Sequence, residues 1–348
     1  MGLVGRRSGV CAFAVVALCG AQLTASPALA DAPTTSPTQT QADFETALSA
    51  YQSGDVDRAL RLGRIAAENG SLEASVLCGH ILRHGETGTP DPAEARRFYE
   101  MAAARNHPDA LVALGDMGLS GEAGLTEADA YAYLLRASDA GRNDATLALA
   151  DMNRTGRGIA PDIDEERRLL ERASAAFDSE ATKRLADTYL ETDPKRALDL
   201  YEQAAGAGHA EAAYAAGVMY AQTFEIQPDE EKSAYWMAQA ARAGHAAAQA
   251  DFGLLVYQGA GVPRNAEDAA DWFRRSAENG DSEGMFLYAF TLAKGDGVEQ
   301  DFGEAYYWLL RAGDSTVDDY QQDRATLRQR LEDNVDPDIL TTARARIE

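Results

Sequence analysis

The sequence is short of cysteine, of positive charge and of long apolar runs. Three cysteines occur in 348 residues, and 32 lysines and arginines stand against 56 aspartates and glutamates, a formal net charge of −24. That deficit of positive charge argues against sequence-independent phosphate binding, because nucleic-acid affinity rests on Lys and Arg releasing counterions. Nucleic acid and anionic membrane surfaces are therefore poor partners. Basic partners are favoured, through an attraction that salt screens. No Walker phosphate loop, metalloprotease His-Glu-x-x-His or esterase Gly-x-Ser-x-Gly stands in a convincing context. The Gly-x-Gly pairs that do occur lie between helical patterns, whereas a phosphate-cradling turn follows a strand, and β-branched runs are few. What remains is a chain 45% hydrophobic and 25% charged, enough to bury a substantial core.

The apolar run that does exist is at the start. Residues 1 to 30 contain no acid, carry Arg6 and Arg7, pass through the apolar stretch Val10 to Leu18, and end in Ala28-Leu29-Ala30. This is the layout of a signal peptide, with cleavage expected before Asp31 and a periplasmic or secreted destination. A spanning helix is excluded because Gly20, Gln22, Thr24 and Pro27 interrupt the run. Val16-Ala17-Leu18-Cys19 has some likeness to a lipoprotein signal, but bulky Leu18 stands where a small residue is needed, so ordinary secretion is preferred. Cleavage removes Cys11 and Cys19 and leaves Cys78 alone, so no internal disulfide forms in the mature chain. Residues 31 to 41, rich in Pro and Thr without apolar periodicity, are expected to be a flexible leader.

Beyond the leader the chain repeats. Aligned on Gly-x-x-x-Ala, seven registers end at Ala74, Ala110, Ala145, Ala181, Ala212, Ala248 and Gly284, mostly 36 residues apart. Five residues later comes a column of small residues, Gly79, Gly115, Ala150, Ala186, Gly217, Gly253 and Ala289, which marks close helix contact. A bulky column follows at Phe98, Tyr133, Leu169, Leu200, Trp236, Trp272 and Trp308. Between the two lie breakers such as Gly156-Arg157-Gly158-Ile159, Gly259-Ala260-Gly261-Val262 and Gly295-Asp296-Gly297-Val298. Each unit reads as helix A, loop, helix B and a tight turn, and stacked units bury what one hairpin cannot. The fold class is all-α, a right-handed α-solenoid of stacked antiparallel helix pairs. An amino-terminal pair over 42–70 turns at Gly54-Asp55, and residues 316–348, with Leu327, Leu331 and the helix start Asp336-Pro337, are expected to cap the other end.

Segments such as AEAAYAAGVMY near 211 and AADWFRRSAENG near 269, with the Gly-x-Gly-Val loops, resemble the Sel1-like repeat, a relative of the tetratricopeptide repeat. The likeness spans 71–315 as seven repeats. It implies a scaffold for protein-protein interaction without a catalytic centre or cofactor. Exported members of the family imply a role in assembling or regulating exopolysaccharide or signalling systems of the cell envelope. Cysteine-rich members imply an alternative, penicillin-binding or other cell-wall activity, to which a direct carbohydrate binder using Tyr131, Tyr257 or Trp308 is added. Unit Ala181 to Gly208 departs from the pattern, lacking the loop insertion, and Gln222 to Asp229 replaces the Gly-rich loop of the next.

If helix A lines the concave side, one column defines the candidate groove: His80, Asp116, Asp151, Asp187, Val218, Leu254 and Phe290, with Arg154 and Arg184 beside its polar half and Met219, Tyr220 and Tyr257 beside its apolar half. It suits a partner segment that is basic or amphipathic. His80 and His84, four apart, share a helix face but lack further ligands, so no metal is assigned. His209 and His245, repeating at one turn position, and His107 are expected to be structural. The acids Asp162, Asp164, Glu165 and Glu166, and Asp229, Glu230 and Glu231, open helices B and are expected to be solvated charges facing the helix dipole. Cys78 falls in a column otherwise filled by Leu114, Leu149, Leu185, Ala216, Phe252 and Tyr288, and is expected to be core.

Overall fold

A computed structural model describes residues 37–222, 226–313 and 320–347. Eighteen α-helices and no strand occur among the described residues. The helices run in pairs: α1 (Pro37–Gln52) with α2 (Val56–Glu68), α3 (Leu72–His84) with α4 (Pro92–Ala103), α5 (Pro108–Leu119) with α6 (Glu127–Asp139), α7 (Asn143–Thr155) with α8 (Ile163–Ala175), α9 (Ser179–Tyr189) with α10 (Pro194–Gly206), α11 (Ala210–Gln222) with α12 (Glu230–Arg242), α13 (Ala246–Gln258) with α14 (Ala266–Glu278), and α15 (Ser282–Lys294) with α16 (Phe302–Ala312); α17 (Gln321–Asn334) and α18 (Pro337–Ala345) follow. Each helix from α1 to α16 packs on the next, and α17 and α18 both pack on α16, giving the α-solenoid of the sequence pattern. Within the eight pairs α1–α16, α1 also approaches α3 and α13 approaches α15, while no two even-numbered helices of those pairs come as close. That places helix A on the inner side of the stack.

The expected signal peptide lies outside the described residues, as do 31–36 of the leader and residues 223–225 of the irregular loop. Residues 37–41 are a correction: the helix already begins at Pro37. Proline suits a first helical turn, and the polar residues after it bond within the helix, Gln39 to Asp43 at 2.8 Å and Gln41 to Glu45 at 3.2 Å.

Much of the acidic excess goes into helix starts. Asp91, Asp162, Asp178, Asp193, Asp229, Asp281, Asp301 and Asp336 each accept a bond from a backbone N–H of the first turn. Such a cap contributes about 1 kcal/mol. His209 and His245 do the same with Nδ1, accepting from Ala212 N at 3.3 Å and Ala248 N at 3.2 Å, whereas His107 makes no cap bond. The turn from each helix B to the next helix A needs a left-handed residue, supplied by Gly70, Gly141, Gly208, Gly244 and Gly280. Asn106 fills that place once, and so, unusually, does Phe177 at φ 63°.

The small-residue seam is as tight as its composition implies. A Cβ on Gly79, Gly115, Gly217 or Gly253 would stand 2.6–2.7 Å from side-chain atoms of Tyr99, Leu134, Met237 or Phe273 respectively. The partner of each glycine is thus the residue after the bulky column. Of the column itself, Trp308 is buried at 7% exposure while Trp236 and Trp272 are half-buried. Buried hydroxyls tie units together: Ser138 meets Thr146 at 2.6 Å and Ser174 meets Thr182 at 2.7 Å. At the far end Leu331, Leu340 and Ala343 join the core of the last repeats, and Tyr306 Oη donates to Glu332 at 2.6 Å.

Candidate binding groove

The seven positions of the candidate groove lie on successive A helices, α3 to α15. Their surroundings divide in two. In the first half most of the charges are paired. His80 Nε2 lies 3.2 Å from Glu86 and its ring 4.5 Å from that of His84; burial and the His84 charge hold its pKa below the usual value, with Glu86 pulling the other way. Tyr51 donates to the same Glu86 at 3.1 Å, and burial with that carboxylate pushes its hydroxyl up to about 12. Among the described residues no group of three His, Cys, Asp or Glu side chains is arranged to hold a metal. Asp116 is exposed. Asp187 accepts from Tyr201 Oη at 2.6 Å and pairs with Lys183 at 3.3 Å, and Lys183 reaches on to Glu211 of the next repeat, also at 3.3 Å.

Asp151, Arg154 and Arg184 come together around a residue that sequence reading misplaced. Asp151 pairs with Arg154 and lies 4.0 Å from Arg184, and Arg154 Nε lies 4.0 Å from Glu166 Oε1. Glu166 is only 2% exposed, which corrects the expectation of a solvated charge. The reason is helical geometry: Leu169, Leu170 and Ala173, three, four and seven residues on, are all buried, so Glu166 shares their inward face. The equivalent positions hold Ala95, Ala130, Ala197, Ser233, Ala269 and Ala305, all buried, so this column could have revealed it. Glu166 Oε2 and Arg184 Nη2 have no hydrogen-bond partner among the described residues. Burial pushes the Glu166 carboxyl above its ordinary value, against the pull of Arg154 and Arg184.

The second half is aromatic and apolar. Tyr214 stacks on His245 at 4.6 Å and donates to Asp251 at 2.9 Å; burial raises the pKa of both Tyr214 and Asp251. Val218 and Leu254 are half-buried against the core, and Phe290 is exposed, with Lys294 5.8 Å from its ring centre. Of the flanking residues, Met219 and Tyr220 are buried, and Tyr257 donates to Asp296 at 2.7 Å. Trp308 packs edge-on against Tyr288 and Tyr307, leaving little ring surface for a sugar. Cys78 is fully buried, and burial pushes its thiol up to about 12. No described helix is long and apolar enough to cross a membrane.

The Sel1 repeat family model matches this chain over 48–71, 72–107, 108–141, 143–176, 185–209, 210–245, 246–281 and 282–316. The chain belongs to the Sel1 repeat family. The first matched segment falls on the amino-terminal pair α1–α2, in addition to the seven units read from the alignment columns. A Sel1 repeat protein from Oxalobacter formigenes has a similar solved structure, with a TM-score of 0.69 at 24% identity over 85% of this chain and 90% of that one. A protective antigen of uropathogenic Escherichia coli with the same type of fold aligns at a TM-score of 0.40 and 21% identity, over 88% of this chain and 83% of the other. Among curated proteins the chitin synthase regulator SKT5 of Saccharomyces cerevisiae is 29% identical over 176 residues, 48% of this chain. The match spans 20% of that regulator's length.

Proposed function

We propose that this Sel1 repeat protein is an exported scaffold of the cell envelope that regulates or assembles an exopolysaccharide or signalling system by gripping a basic or amphipathic segment of a partner protein. The observation that carries the reading is the two-part inner face: charged from His80 to Asp187, aromatic and apolar from Val218 to Phe290. An amphipathic segment with a basic end and an apolar end matches that order. The first thirty residues support export, and the yeast relative's role as a chitin synthase regulator supports regulation over catalysis. The cell-wall enzyme and carbohydrate readings gain no support from a buried Cys78 and a packed Trp308.

The test is crosslinking in intact cells with a tagged protein, followed by mass spectrometry of the envelope fraction. The expected result is one enriched envelope protein whose recovery falls when Asp116, Asp151 and Asp187 are all changed to Asn. Equal recovery with the triple variant, or no enrichment over an untagged control, would sink the groove reading.

A further inference from the structure

In three repeats the loop between helices A and B covers the start of the preceding helix B. A Cβ on Gly158 would stand 2.5 Å from the Glu127 carbonyl oxygen, and Gly261 and Gly297 press in the same way on Glu230 and Ala266, the first residues of α12 and α14. Only glycine permits that approach at φ 67–80°. The aliphatic residue after it turns inward, Val262 and Val298 both packing on the core. The loops 156–162, 259–265 and 295–301 are each seven residues long.

At α8 the covering loop is missing, because α9 and α10 are joined by only the four residues 190–193. The first residue of α8, Ile163, is left 50% exposed, and Leu190, at the end of α9, 44% exposed. The two helix ends are neighbours: Arg167, one turn after Ile163, donates to Thr188 O at 2.7 Å and lies 4.8 Å from the Tyr189 ring. One turn from Ile163 stands Glu166, a buried carboxylate with an oxygen that has no donor, in a column otherwise of Ala and Ser. Two independent departures from the repeat, a lost loop and a gained charge, thus fall on one junction.

We infer that the α8–α9 junction is a docking notch for an extended Gly-x-Gly-aliphatic segment of a partner protein, with a basic residue at x, which takes the place that the chain's own loops take elsewhere. The glycines allow backbone contact with the start of α8, and the aliphatic side chain covers Ile163 and Leu190. The basic residue copies Arg157, which in its own loop donates to Glu127 at 2.8 Å and to Leu119 O at 2.9 Å, whereas the other two loops carry Ala260 and Asp296 at x. In the notch it meets Asp162 and Asp164 at the start of α8, within a chain of net charge −24. This deepens the scaffold reading and rests on it.

The probe is a labelled synthetic peptide with the sequence of residues 155–161, Thr-Gly-Arg-Gly-Ile-Ala-Pro, titrated into the full chain by fluorescence anisotropy. Saturable binding is expected, weakened at least tenfold when both peptide glycines become alanine. Grafting the seven-residue loop 156–162 in place of 190–193 should abolish it. Ile163→Lys, an exposed single change, should weaken it at least tenfold with an unchanged helical signal. Asp164→Asn should reduce the preference for Arg over Asp at x. No saturable binding, or binding indifferent to both the graft and Ile163→Lys, overturns the notch. The scaffold reading fails separately: if the grafted chain still captures its partner in cells as well as the natural one, the notch falls and the scaffold stands.

Discussion

The repeats before and after α10 share one seam and differ in what they show to the inner face. Gly115 against Leu134 in the first half and Gly253 against Phe273 in the second are equally close. Yet the first half exposes paired charges, such as Lys183 between Asp187 and Glu211, and the second exposes rings, such as Phe290 under Lys294. The seam sets how units stack, so it tolerates little change; the inner face makes few contacts that stacking needs, so it is free to diverge. Architecture and recognition are thereby carried by different columns of the same repeat.

The largest expected effect tests whether the seam is common to both halves. Gly115→Leu and Gly253→Leu should each destabilise by about 3 kcal/mol, since helix propensity regains less than the clash costs. Denaturant unfolding would show it, and a variant that melts as the natural chain does would mean that the seam at that repeat is looser than its twin. The next effect separates the faces. The triple change of Asp116, Asp151 and Asp187 to Asn should weaken a basic partner about tenfold and flatten its salt dependence, whereas Phe290→Ala should weaken binding without altering the salt slope. Salt titrations of both variants that run parallel would erase the division.

A smaller effect lies at the boundary between the halves. Phe177, 93% exposed at a left-handed position, gains little from its ring, so Phe177→Gly should stabilise by about 1 kcal/mol, read as a higher melting temperature. The smallest is a pH effect. Because burial raises the Glu166 pKa, its neutral form is favoured in the fold; the stability this confers is present below the ordinary value of 4.5 and is lost as pH rises through the shifted value. Glu166→Gln should therefore melt nearly like the natural chain in acid and above it at neutral pH. A gap that does not change with pH would show that Arg154 and Arg184 balance the burial.

Most of the architecture was legible because the repeat states each contact many times over. The seam and the breakers between helices A and B appear where the alignment columns put them, and the helix start at Asp336-Pro337 appears where its capping residues put it. The helical start at Pro37 escaped because a Pro- and Thr-rich stretch has no apolar period, and its bonds are made within its own turns. Glu166 escaped for another reason. An acid near a helix start is read as a dipole partner, and only its place in the column of Ala95, Ala130, Ala197, Ser233, Ala269 and Ala305 betrays that it points inward.

By itself the sequence determined the all-helical repeat, its period, its small-residue seam and its acidic character, since each depends on residue type and spacing along the chain. Only the tertiary structure decided which charges find partners and which surfaces stay open. Arg184 meets Asp151 from 33 positions away, and the start of α8 is bare because a loop in the following repeat is short. Both facts depend on how one unit is set against the next, which spacing within a unit does not contain.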